Sequence, residues 1–158
     1  MINARKKISW LLVILWMTLI FYLSHQPVAK SNKLSTGITE KLIEVVERID
    51  SDKDFNLGRV NHIIRKNAHF FAYLILGILV INGLKSSGIT GLKSIGLGIL
   101  VCVLYAISDE VHQLFVPGRG GQVKDVFIDS AGSITGIIAY KMINKNKESA
   151  QNTMQEKK

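Results

Sequence analysis

The sequence predicts an all-α integral membrane bundle of about four transmembrane helices, with an added amphipathic helix in the loop after the first. Three observations predict it. The chain is 47% hydrophobic with a mean hydropathy of +0.23, too apolar for a soluble domain that also carries long charged segments. Four stretches have the character of bilayer spans, which need roughly 17–25 mostly apolar residues. Basic residues flank these stretches and form no continuous stripe. The net charge of +8 therefore points to anionic lipid headgroups and away from nucleic acid.

The 158 residues suit one domain, read as a transmembrane unit over 1–145 and a polar, disordered cytoplasmic tail over 146–158. The lone Cys102 sits inside an apolar run, so no disulfide framework exists. The first span, about 8–24, is uncharged and follows Arg5, Lys6 and Lys7. That pattern also suits a signal peptide, but no small-x-small cleavage site follows the run. The second span covers about 68–84. The third covers about 92–108, with Lys93 at its edge. The fourth covers about 126–143 and contains Asp129.

Between the first two spans, Ile38, Leu42, Val45, Val46 and Ile49 fall on one helical face, and Ser35 or Thr36 is a suitable N-cap. Glu40, Lys41, Glu44, Glu47 and Arg48 take the other face. A helix over about 36–49 would lie on the bilayer or cover the bundle's end. An even number of spans puts both termini on one side. Basic residues divide evenly between the two sides, but three of them lead the first helix, which usually sets orientation. Both termini are thus expected in the cytoplasm, with loops 25–67 and 109–125 outside.

Charged groups within spans are costly and generally face a partner or a cavity. Arg65, His69 and Tyr73, four apart and next to Lys66, share a face at the start of the second span. At the end of the third, His112, Asp109, Tyr105, Cys102 and Gly98 form one stripe, beside Glu110 and Gln113. The fourth opens with Asp125, Asp129, Gly132 and Gly136 on one face, a GxxxG pattern that permits close helix approach. The Pro- and Gly-rich loop 115–121 sets Arg119 over the same end, and Ser24, His25 and Gln26 close the first span there.

These residues support more than one chemistry. Arg65, Lys66 and Arg119 suit an anionic group such as a phosphate, with His69 or His112 as nucleophile or acid/base beside Asp109 or Glu110. A divalent metal on His69, His112, Glu110 and an aspartate is the competing reading, but the spacing matches no zinc motif, so no metal or cofactor is expected. Packing alone would pair Arg65 or Arg119 with Asp125 or Asp129.

At these same positions the chain resembles the VanZ-like family of bacterial membrane proteins. The resemblance rests on Ser24-x-Gln26, Arg65-Lys66-x-x-His69 with Tyr73, Ser108-Asp109-Glu110-x-His112-Gln113, Phe115-x-Pro117-x-Arg119 and Asp125-x-x-x-Asp129-x-x-Gly132. It implies a multi-span protein associated with resistance to glycopeptides, chiefly teicoplanin, or with a wider envelope function. It implies no catalytic residues. The expected ligand site comprises Arg65, Lys66, His69, Tyr73, Asp109, Glu110, His112, Gln113, Arg119, Asp125 and Asp129. The expected partners are membrane lipids, an anionic lipid, a cell-wall precursor or a lipoglycopeptide. A homo-oligomer through Gly132 and Gly136 is a further expectation. An enzyme acting on a lipid-linked phosphate and a non-catalytic scaffold remain alternatives.

Overall fold

The computed structural model describes the backbone of residues 2–27, 37 and 57–156, and side chains over 4–27, 37 and 63–145. Apart from Gly37, the expected amphipathic helix over 36–49 lies outside the described residues. Among the described residues the long elements are four α-helices: α1 Ile2–Ser24, α2 Leu57–Ser86, α3 Gly91–Gln113 and α4 Val123–Glu156. All four contain a stretch long and apolar enough to cross a membrane, namely Ala4–Ser24, Ile63–Ser86, Gly91–Gln113 and Val123–Lys145. α4 stays helical through 146–156, where composition alone suggests a disordered tail.

The helices outrun the apolar stretches at the charged end. α2 is helical well before Ala68, and α3 continues past Ser108 through Asp109, Glu110 and His112. Backbone groups near a membrane must be hydrogen-bonded, so a helix continues until a residue stops it. In α3 the stop comes at the loop carrying Pro117 and Gly118, whose φ is +77°. At the other end, Gly88 (φ +83°) closes α2, and the Ile89 N–H bonds the Leu84 carbonyl at 3.0 Å. This is the Schellman pattern, and it turns the chain straight back into α3.

α2 is the central helix and touches all three others, with its broadest contact on α4. α3 packs on both α2 and α4, and meets α1 lightly. The core comprises Val13, Ile20, Tyr73, Leu76, Val80, Leu84, Cys102 and Ala106. Large apolar side chains such as Leu11, Ile14, Leu15, Phe71, Leu104 and Ile138 are exposed. In water such a surface would aggregate; against lipid tails it is the matching solvent.

α2 and α4 run parallel in nearly direct backbone contact. A Cβ on Gly132 would lie 2.3 Å from the Phe70 carbonyl oxygen, one on Gly136 2.1 Å from that of Leu74, and one on Gly77 2.2 Å from that of Ser133. The GxxxG face is therefore used within the chain, against α2. α1 is tied to its neighbours by Trp16 Nε1 donating to the Ala72 carbonyl at 2.8 Å and Tyr105 OH donating to the Met17 carbonyl at 2.5 Å. At the Ser86 end the ties are neutral. Ser9 meets Ser86 at 3.1 Å, Trp10 Nε1 donates to Ser87 at 3.0 Å, and Tyr140 OH donates to Asn82 at 3.0 Å.

Candidate functional site

The opposite end, where α1 finishes and α4 begins, collects the charged residues. α3 supplies its depth. Its buried stripe runs Ser94, Gly98, Cys102, Ala106, Asp109 and Gln113, with Glu110 beside it. Tyr105 and His112, read from spacing as part of one stripe, flank it instead and turn toward α1. Tyr105 bonds Met17, and His112 Nε2 stands 3.1 Å from His25 Nδ1. Phe21 stacks on His112 at a centroid distance of 4.2 Å.

Asp109 is the hub. It is 1% exposed. Its Oδ2 accepts Ser24 Oγ at 2.8 Å and Gln113 Nε2 at 3.3 Å. Its Oδ1 is buried without a hydrogen-bond partner. Asp129, 3% exposed, faces His69 across the α2–α4 contact, with Oδ2 and Nδ1 3.6 Å apart. That distance is an electrostatic contact, longer than a formed hydrogen bond. Asp129 Oδ1, Glu110 Oε2 and the Tyr73 hydroxyl are likewise buried without hydrogen-bond partners. One ligand atom each from His69, Asp109 and Asp129 lie within 4.8 Å of one another.

The rim is basic. Lys66 Nζ pairs with Asp125 Oδ1 at 2.8 Å, both side chains about a quarter exposed. The loop from α3 to α4 carries Arg119 back over the end. Val116, 3% exposed, pins the loop, and the Arg119 N–H bonds the Val116 carbonyl at 3.0 Å. Arg119 then reaches Gln113 Oε1 at 3.3 Å and the Leu23 carbonyl at 3.4 Å, bridging α3 and α1. Burial and the neighbouring Arg65 charge hold its guanidinium below the ordinary arginine pKa, while Asp109 and Glu110 pull the other way. The Gln122 N–H donates to Glu110 Oε1 at 3.2 Å, fixing that carboxylate to the start of α4.

The residues named from sequence thus gather at one end. Asp125 meets Lys66 and Asp129 meets His69, two pairs that spacing did not name. Lys66 and His69 are three apart on the face that Gly132 brings against Phe70, and the aspartates are four apart on the facing helix. Arg119 goes to Gln113 and a backbone carbonyl. The trio near metal-ligating distance draws on His69, Asp109 and Asp129, without the His112 and Glu110 of the competing metal reading. Spacing missed Ser24 as the donor to Asp109 and His25 as the partner of His112. Their place in a polar turn closing an apolar span was the available signal.

The four membrane-length helices among the described residues define a multi-pass membrane protein with a buried polar cluster at one end of its bundle. A family model described as VanZ/LLP1 matches residues 9–144, from α1 into α4, and the chain belongs to the VanZ-like family. Neither the curated proteins nor the solved structures return a match.

Proposed function

We propose that this VanZ-like protein holds the polar headgroup of an anionic or amphiphilic envelope component in its charged end, at the outer leaflet. Capture of that component would underlie protection against teicoplanin-type glycopeptides or a broader envelope function. The observation that carries the reading is the set of buried polar atoms without hydrogen-bond partners: Tyr73 OH, Asp109 Oδ1, Glu110 Oε2 and Asp129 Oδ1. Buried polar groups are almost always satisfied, and each unmet one costs about 1–3 kcal/mol. A headgroup rich in hydroxyl and amide donors would meet these acceptors. Arg65, Lys66 and Arg119 at the rim would meet its anionic part, the guanidinium by bidentate bonds. The outside placement is supported by Arg5, Lys6 and Lys7 in the first turns of α1, since basic residues at the start of the first helix favour the cytoplasmic side, and the charged cluster lies at the far end of that helix.

The test is a teicoplanin susceptibility assay in a sensitive Gram-positive host expressing the protein. Arg119→Ala, Arg65→Ala and Glu110→Ala are expected to return susceptibility to the empty-vector level while membrane accumulation stays normal. Full protection by all three variants sinks the proposal. A new lipid or muropeptide species in expressing cells, lost in Glu110→Gln, would replace capture with turnover.

A further inference from the structure

We propose that the junction of α2, α3 and α4 is a divalent cation site, ligated by one imidazole nitrogen of His69 and one carboxylate oxygen each of Asp109 and Asp129. The inference goes beyond headgroup capture: it uses some of the same unmet polar atoms and adds the geometry of three ligand atoms at depth.

Two carboxylates, 1% and 3% exposed, place oxygens within 4.8 Å of one another and of a His69 nitrogen. Removing such charges from water costs several kcal/mol each, and like charges at that range repel strongly where water is excluded. Their direct partners are few, although the Arg119 charge also bears on Asp109. Asp109 has a hydroxyl and an amide, and Asp129 has His69 at 3.6 Å. Both aspartates keep an oxygen with no hydrogen-bond partner. Tyr73 is a second, separate pointer. It lies one turn beyond His69, is fully buried, has an unbonded hydroxyl, and sits in the field of both aspartates.

A divalent ion answers each of these features. Ligand atoms at about 2.0–2.6 Å from an ion are separated by roughly 3–5 Å, and the three atoms here lie within 4.8 Å of one another. Three protein ligands leave open positions for water or a ligand oxygen, and the Tyr73 hydroxyl is a suitable partner for such a water. A mixed nitrogen and oxygen set selects ions of the Zn²⁺ or Mn²⁺ kind over Ca²⁺ or Mg²⁺, which prefer oxygen alone. The ligands come from three helices, so the ion would cross-link the bundle where its charges are deepest.

The full chain in nanodiscs would be stripped with chelator, dialysed against Zn²⁺ or Mn²⁺, and assayed for bound metal and melting temperature. We expect about one ion per chain and a higher melting temperature with metal than after chelation. Asp109→Asn, Asp129→Asn and His69→Gln should each lower affinity at least tenfold, while His25→Ala, which dismantles the neighbouring histidine pair, keeps the ion. X-ray absorption at the zinc edge of the unmutated protein should show oxygen and nitrogen ligands with a single imidazole. This measurement stands even if a variant does not fold. No bound ion on folded protein, two imidazoles per ion, or an ion retained in the aspartate variants would each overturn the site. Protection against teicoplanin without bound metal refutes this inference alone. Bound metal with protective rim variants refutes the capture reading alone.

Discussion

Replacing Gly136 with alanine adds one methyl group where α2 and α4 are closest. The new Cβ would stand 2.1 Å from the Leu74 carbonyl oxygen and 2.9 Å from its carbon. Carbon–oxygen contacts at tight helix crossings run about 3.3–3.6 Å, so the helices must part or tilt by roughly an ångström. Both sides of the clash are anchored to backbone, so no rotamer change relieves it. Overpacking of this kind costs about 1–3 kcal/mol, and a backbone clash belongs at the upper end. Alanine's better helix propensity offsets about 1 kcal/mol. The expected net loss is about 2 kcal/mol, roughly a 30-fold fall in the folded-to-unfolded ratio. Gly96→Ala is the control, since nothing lies within 4 Å of its Cβ position and the residue is exposed. Denaturant unfolding in mixed micelles, followed by fluorescence of Trp10 and Trp16, should leave Gly96→Ala at or above the parent's stability and shift Gly136→Ala well below it. Equal midpoints for the two variants would falsify the direct α2–α4 contact and the His69–Asp129 register built on it.

Three further outcomes follow from individual contacts. Ser24→Ala removes the hydroxyl that donates to buried Asp109 and should destabilise the bundle by about 1.5–3 kcal/mol, measured by the same unfolding titration. Tyr105→Phe loses one bond to the Met17 carbonyl and should cost about 0.5–1.5 kcal/mol; a larger effect would mean the ring's packing has changed as well. Lys66→Met breaks a pair that is about a quarter exposed on both sides, and should move stability by less than about 1 kcal/mol, with the difference shrinking in high salt.

The sequence makes helix number and faces legible because both are local properties. A run of apolar residues reports a span, and residues three or four apart report a face. Hence the buried Gly98, Cys102 and Asp109 of α3 and the Asp129, Gly132 and Gly136 face of α4 were readable. Helix ends were less so. Hydropathy marks where lipid stops, while the α3 helix runs on to Gln113 before the Pro117–Gly118 loop, and α2 runs to Ser86 before Gly88. Partners across helices were not legible. Spacing along α2 does not fix its rotation against α4, and the meeting of Lys66 with Asp125 and of His69 with Asp129 depends on where Gly132 and Gly136 let the backbones meet. The His25–His112 contact depends likewise on α1 ending level with α3.

The two ends of the bundle bear on whether the charged cluster is there for packing. Both ends must hold helices in register, and the Ser86 end does so mainly with neutral groups: Ser9, Asn82, Ser86, Ser87, Trp10 and Tyr140 exchange hydrogen bonds between α1, α2 and α4. Lys141 joins them, its ammonium donating to the Ser94 hydroxyl at 3.0 Å. Such bonds hold register without burying a carboxylate. The Ser24 end does the reverse. It puts Asp109 and Asp129 at depth and keeps Lys66, with its aspartate partner, at the surface. A cluster selected for stability would pair its deepest charges or replace them with apolar groups, which pack as well or better. Deep acids left with unmet oxygens, beneath a basic rim, lower stability in a bundle whose other end shows how to avoid the loss. Charges retained on those terms are what the proposed capture of a headgroup would require.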